Sequence, residues 1–258
     1  MITRSRRRLL PLRGAGPGGA GTVTAGPVTT GPVTTGPVTT DAWIRLGAAA
    51  GVAGPAAFTA AWIAASLLQT GHSAAEVQIS GLAAPDARDP WIMIAGFAAL
   101  GGCSAGLGSA LHRALGGAGQ AGPGPRLIQA AGVLTVAAGL LRRDQVLLTA
   151  QASESWHNHA HDAVSALIYL ALIAVPLLLA RRFRADRHWS ALSLPLAASS
   201  LVAAAILAVF FSQALAPWNG VLQRIGVTVP LAGLCAVAVR LLVAGRAGSG
   251  PVPSRRLS

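Results

Sequence analysis

From residue 46 onward the chain alternates between long apolar runs and short polar breaks. The runs cover about Leu46–Leu68, Trp91–Leu111, Leu127–Leu141, His161–Ala180, Ser190–Phe211 and Val221–Val243. About 20 apolar residues carry a helix across the hydrocarbon core of a bilayer, and all but the third run reach that length. Hydrocarbon offers no partner to a backbone N–H or C=O, so each run must satisfy its own hydrogen bonds as a helix. Alternating short segments of the kind that build a membrane β-barrel are absent from the sequence. The pattern predicts an all-α fold, a polytopic transmembrane helical bundle of about six spans. The third run is short and meets Arg142, Arg143 and Asp144, with a continuation to Leu148 left open. Pro55, Pro176, Pro195 and Pro230 fall inside runs, where membrane helices tolerate them as kinks. Gly101, Gly102, Gly106 and Gly108 crowd the second run, and the pair Gly102/Gly106 has the spacing that lets helix backbones approach closely. Packing within the chain is the simpler reading of that pair than dimerisation.

Residues 1–41 follow a different pattern. Arg4, Arg6, Arg7, Arg8 and Arg13 precede three tandem copies of Gly-Pro-Val-Thr-Thr beginning at Gly26, Gly31 and Gly36. A proline every five residues prevents a helix, and there is too little apolar surface to fold upon. The organisation expected is therefore a disordered basic tail (1–41), a six-helix transmembrane domain (42–245) and a short basic cytoplasmic tail (246–258). Ser5-Arg-Arg-Arg-Leu-Leu10 loosely resembles a twin-arginine export signal, but Pro11 and Arg13 interrupt the apolar core that such a signal needs.

Composition fits this picture. Of 258 residues, 53% are hydrophobic and 11% are charged, against about a quarter charged in soluble domains. The net charge is +12, and every basic residue is arginine. The absence of lysine beside abundant Ala and Gly reads as GC-rich coding. The arginines sit at helix ends, as topology signals do, and form no continuous stripe that would hold phosphates, which argues against nucleic acid as a partner. With the N-terminus inside, sixteen of the twenty arginines lie on the inner side, leaving Arg88, Arg142, Arg143 and Arg224 outside. The positive-inside rule then places both termini in the cytoplasm of a multi-pass cell-membrane protein, with membrane lipids as its surroundings. Six of the eight acids fall outside: Glu76, Asp86, Asp89, Asp144, Glu154 and Asp162. Trp91, Trp156, Trp189 and Trp218 stand at span ends, where interface anchoring explains them. Cys103 and Cys235 lie inside apolar runs and read as small hydrophobes.

Ionisable groups near a span are costly, so each is a functional candidate. Several converge on the outer face: Ser80 in the first outer loop, Arg142, Arg143 and Asp144 closing the third span, His157, His159, His161 and Asp162 opening the fourth, and Gln223 and Arg224 opening the sixth. If the fourth helix starts near Ser155, His157 and His161 share one face, and the stripe continues through Ser165 and Tyr169. His159 then points roughly the opposite way. Two histidines at this spacing can hold a divalent metal such as zinc, and Asp144 is the nearest third ligand. The plainer readings are solvated histidines, Asp162 held by the helix dipole, and arginines reaching to headgroups.

These residues also carry a resemblance. Gly54-Pro-Ala-Ala-Phe58, Ile79-Ser-Gly-Leu82, Gly139 with Asp144, Trp156-His-Asn-His-Ala-His-Asp162 and Gly220-Val-Leu-Gln-Arg224 occur in that order along the runs. Over about residues 46–244 the chain resembles the DUF998 family of six-span bacterial and archaeal membrane proteins, whose function is not established. The resemblance implies Ser80, Asp144, His157, His161 and Arg224 as the polar positions. It departs at Gly81, where the family often has an acid, and at Arg142-Arg143, where it tends to have an apolar-proline context. Those arginines could pair with Asp144 and reduce its availability to a metal.

Three functions are compatible with this pattern. The first is a metal-dependent hydrolase of a lipid-like, amphiphilic small molecule at the outer leaflet. His157, His161 and Asp144 would hold the metal, a metal-bound water would attack, and Ser80 and Arg224 would complete the site, Arg224 holding an anionic headgroup. A similar set of residue types serves the alkaline-ceramidase-like membrane hydrolases, an analogy of site type only. The second is a proton-coupled carrier with titrating histidines. It would need polar groups at mid-membrane depth, and the sequence offers only Thr135, Ser165, Ser199, Ser200 and Thr228, with no evident inverted repeat. The third is a non-catalytic partner-binding or assembly protein, for which the outer polar cluster would be shallow and solvated.

Overall fold

The structure, a computed structural model, describes residues 42–117, 120–144 and 155–247. The repeat-bearing tail 1–41, the continuation of the third run to Leu148, Glu154 and residues 248–258 lie outside the described residues. Six α-helices and three short 3-10 turns make up the described chain, which contains no strand. The helices are α1 (Ala42–Leu68), α2 (Pro90–Ala114), α3 (Gly124–Leu140), α4 (Trp156–Phe183), α5 (Ser193–Ser212) and α6 (Asn219–Ala247). Five of them are long and apolar enough to cross a membrane, and α3 is the exception. Its 17 residues make about 26 Å at 1.5 Å per residue, short of a hydrocarbon core of about 30 Å.

Local chemistry sets the helix ends more finely than hydropathy does. Pro90 opens α2, where its missing N–H costs nothing, behind Asp89 in a left-handed conformation (φ 53°). The helix α4 begins five residues before its apolar run because the Ser155 hydroxyl accepts from the Asn158 N–H and caps the first turn. At the far end of α3, Leu141 turns out of the helix (φ −82°, ψ 65°) ahead of Arg142. The fifth run starts with a 3-10 turn, Ser190–Leu192, and α5 ends at Gln213 in a left-handed conformation (φ 58°).

Each helix packs on the next, and α6 returns to α1, so the six close into a ring in which α4 also touches α6. Glycine makes the tightest seams. A Cβ on Gly47 would lie 2.5 Å from the Gly106 carbonyl, and one on Gly101 2.5 Å from that of Gly132. Gly106 thus meets α1, as the close-packing reading expects, whereas a Cβ on Gly102 would meet nothing within 4 Å. The Cys235 thiol donates to the Gly51 carbonyl, joining α6 to α1 at 3.6 Å. Trp91, Trp156 and Trp218 are exposed, in keeping with interface anchors. Trp189 is not: it is buried and stacks on Phe183 with ring centroids 4.8 Å apart. The turn after α4 folds this ring back over the helix end, and a one-dimensional pattern cannot show that.

Candidate functional site

A pocket of about 80 Å³ lies inside the ring. Residues of α1, α2, α3, α4 and α6 line it, together with Ile79 and Ser80 of the first loop. Ser80, His161, Ser165, Tyr169 and Gln223 are polar residues of its lining toward that loop, and Thr135 and Ser104 are the polar residues elsewhere in it. The rest of the lining is apolar. The stripe His161, Ser165, Tyr169 expected along α4 does face the pocket, because residues four apart share a helix face.

Ser80 sits in a fully buried 3-10 turn, Ile79–Ala83, which borders the pocket. Two neighbouring residues of α6 hold this loop. The Ile79 N–H donates to the Gln223 amide oxygen, and the Gln223 amide nitrogen donates to the Tyr169 hydroxyl at 2.6 Å. Arg224, only 8% exposed, donates through Nη1 to the carbonyls of Ala74 (2.8 Å), Val77 (2.9 Å) and Gly220 (2.9 Å). Its guanidinium also lies 5.2 Å above the Trp62 ring. The fork of Arg donors suits such a cluster of carbonyls. Glycine at 220 is required by the same contact, since a Cβ there would sit 2.5 Å from the Ala74 carbonyl. Arg224 therefore ties the loop to α6, with Nη1 engaged by backbone carbonyls and Nη2 donating to the Ser66 hydroxyl at 3.4 Å. Beside it, both ring nitrogens of His72 are buried without a partner among the described residues. Burial, and secondarily the charge of Arg224, pushes the His72 pKa below its ordinary value.

His161 is 3% exposed, and its Nδ1 lies 2.7 Å from the Leu141 carbonyl and 3.0 Å from that of Ala138. A carbonyl can only accept, so Nδ1 must carry a proton, and in the neutral ring Nε2 is left with a lone pair. The last carbonyls of a helix have no partner within it, and the imidazole satisfies them at the end of α3. His157 stands one turn further out, about 6 Å along the axis, beyond the end of α3. It is exposed and stacks on Trp156 at 3.7 Å between centroids. His159 is exposed as well.

The inward face of that first turn belongs to Asn158, which the sequence reading passed over. Its side-chain oxygen accepts from Arg143 Nε at 3.3 Å, and its amide nitrogen donates to Asp162 at 3.4 Å. Arg143 also donates to the Gln78 oxygen at 2.9 Å and approaches Asp162 at 3.7 Å, so Asp162 is where this arginine finds its acid. Asp144 accepts from the Ser155 hydroxyl at 2.7 Å and from its N–H at 3.1 Å. The carboxylate thereby fixes the start of α4.

The expected ligand set of His157, His161 and Asp144 is thus not brought together. One histidine faces outward, the second gives one ring nitrogen to backbone carbonyls, and the aspartate holds a serine. Among the described residues no three His, Cys, Asp or Glu side chains gather as a metal ion would need. These donors do not fit the zinc site that their spacing suggests. Ser80 and His161 do share the pocket. Gln223, already noted beside Arg224, and Tyr169, noted in the stripe, gain a joint role there, whereas nothing in the sequence marked Gln78 or Asn158.

No curated protein and no solved structure matches the chain. A family match does cover residues 52–240, from the middle of α1 to the last third of α6, and it takes in every residue that lines the pocket. The chain belongs to the family described as "Protein of unknown function (DUF998)".

Proposed function

We propose that this protein is a six-span membrane hydrolase that receives the apolar part of an amphiphile in its central pocket and cleaves an acyl bond at Ser80. The observation that carries the reading is that Ser80 and His161, far apart in sequence, line one pocket, with the proton of His161 pinned on Nδ1. A general base needs a lone pair aimed away from the group that orients it. In this site the α3 carbonyls do the orienting that a carboxylate does in a serine triad. Nε2 takes the Ser80 hydroxyl proton as Oγ bonds to the acyl carbon. The imidazolium then lies at the negative end of the α3 dipole, which favours its charge. It returns the proton to the leaving alcohol or amine, and water attacking the acyl-serine regenerates the hydroxyl.

Membrane insertion is supported by the five long apolar helices, and in this reading the shorter α3, packed against α2 and α4, is the sixth span. Arg45, Arg113, Arg126, Arg181, Arg182, Arg184, Arg187 and Arg240 stand at one end of the bundle, against Arg88, Arg142, Arg143 and Arg224 at the end carrying the pocket mouth. By the positive-inside rule the mouth is extracytoplasmic and both termini are cytoplasmic. A carrier is the weaker reading, since Thr135 and Ser200 donate to the Ala131 and Ile173 carbonyls and are no steps in a polar path.

The test is covalent labelling of detergent-purified protein with an ethyl fluorophosphonate, which reacts with activated serines. Labelling should map to Ser80, vanish in Ser80→Ala and slow at least about a hundredfold in His161→Ala, the low side of a general-base contribution. A folded wild-type protein whose Ser80 stays unlabelled, or labels equally fast without His161, would sink the hydrolase.

A further inference from the structure

We infer that Tyr169 is a catalytic residue of this site, its phenolic O–H donating to the carbonyl oxygen of the acyl group that Ser80 attacks. The catalytic part rests on the hydrolase reading; the free donor in the pocket does not. Gln223 decides where the protons lie. A backbone N–H can only donate, so the end of the Gln223 amide that meets the Ile79 N–H is its oxygen. The amide nitrogen is then the end 2.6 Å from the Tyr169 hydroxyl, and it too can only donate. In that bond the phenolic oxygen accepts, so its own proton is directed elsewhere. Among the described residues that proton has no acceptor: Tyr169 makes no hydrogen bond to Ser80, Ser165 or His161, which share the lining with it. A buried tyrosine hydroxyl normally finds a partner, and a buried donor left unmade is costly.

The ring is fixed while the proton stays available. Tyr169 packs edge to face on Phe210 and Phe211 of α5, at 6.1 and 5.6 Å between centroids, and still lines the pocket. Long helical side chains lean toward the N-terminus, which carries the hydroxyl from two turns beyond His161 back toward the Ser80 loop. Gln223 binds both that hydroxyl and the N–H of Ile79, the residue before Ser80, so one side chain sets the phenol and the nucleophile's turn together. An oxyanion donor has to stand clear of the nucleophile, because the acyl carbon and its oxygen come between them. The missing Tyr169–Ser80 bond suits that role. As Ser80 Oγ bonds to the acyl carbon and its proton passes to His161 Nε2, the carbonyl π pair moves onto oxygen. Tyr169 keeps its proton and hydrogen-bonds the charge developing there. When the leaving group is expelled the C=O re-forms, and the phenol is unchanged.

The chain holds one tyrosine, so tyrosine labelled with carbon-13 at Cζ gives one NMR resonance that reports this hydroxyl. Two measurements use it. Ethyl fluorophosphonate labels Ser80 in detergent-purified wild type and in Tyr169→Phe, which keeps the ring against Phe210 and Phe211. Labelling should slow at least about a hundredfold in the variant, the size of a lost oxyanion donor. Ser80→Ala protein is titrated with acetone and, separately, with isobutene, which has the same shape but no acceptor. Both are small, as a pocket of about 80 Å³ requires, roughly half the volume of an engineered cavity that accepts benzene. Acetone should move the Tyr169 resonance and isobutene should leave it in place. A smaller slowing in Tyr169→Phe, or a resonance that acetone moves no more than isobutene, overturns the inference. If Tyr169→Phe fails to fold, the resonance alone decides. If acetone moves it but wild-type Ser80 never labels, the hydrolase and the catalytic role fall together while the carbonyl-binding donor stands.

Discussion

At the scale of single residues, the polar end of the bundle is organised by which groups are buried without their usual partners. His72 is the sharpest case, its ring nitrogens enclosed next to the buried Arg224 guanidinium. Burial first, and the arginine charge second, disfavour the imidazolium, so its folded pKa lies below that of the unfolded chain. Above about pH 6.5 the ring is neutral in both states and contributes no pH dependence. As pH falls below that value the unfolded chain takes up the proton first, and stability is lost until the depressed folded pKa is passed. The thermal midpoint of wild type should therefore drop more between pH 7 and pH 5 than that of His72→Gln. Parallel curves would show that the ring is solvated. His161 was legible in the sequence, because an ionisable group in an apolar run has to be accounted for. Its rejected partner was not: His157 has the right spacing, but it lies one turn past the end of α3, and only the length of that neighbouring helix decides the matter. Arg224 was legible as a charge, while its engagement by the two loop carbonyls of Ala74 and Val77 depends on a turn without hydrophobic periodicity.

Among the helices, the apolar runs located all six elements, since hydrocarbon leaves each run no alternative to a helix. Their ends shifted by up to five residues wherever caps, prolines or 3-10 turns intervened, and such features are read from side-chain hydrogen bonds. The turn carrying Ser80 had no signal of its own beyond the residues themselves. The glycines of α2 show a related limit. Spacing singled out Gly102 and Gly106, yet the close α2–α3 approach belongs to Gly101 and Gly132, one residue out of phase. Gly101→Val would drive a side chain into the Gly132 backbone and should destabilise the protein by at least about 1–3 kcal/mol. Gly102→Ala, with open space before it, should cost no stability and gain at most the helix-propensity difference of about 1 kcal/mol. Reversible unfolding in mixed micelles can compare them. Equal losses at the two positions would contradict the seam.

For the whole molecule, the ring closure of α6 on α1 brings the Ser80 loop, the end of α3 and the first turns of α4 and α6 to one mouth. Hydropathy orders spans along a line and carries no information about that closure. The arginine asymmetry bears on which way the ring faces, and with it on the compartment from which the site is reached. If the mouth is extracytoplasmic, a substrate enters from the outer leaflet or the medium beyond it; if the sign is reversed, the same pocket serves cytoplasmic amphiphiles. Cysteine accessibility separates the two. In a background with Cys103 and Cys235 replaced by serine, a cysteine introduced by Ser73→Cys stands in the loop at the mouth, and one introduced by Ser190→Cys lies in the turn after α4, at the arginine-rich end. A membrane-impermeant maleimide should label the first in intact cells and the second only after permeabilisation. The reverse pattern would turn the protein over and with it the source of its substrate, leaving the geometry of the pocket untouched.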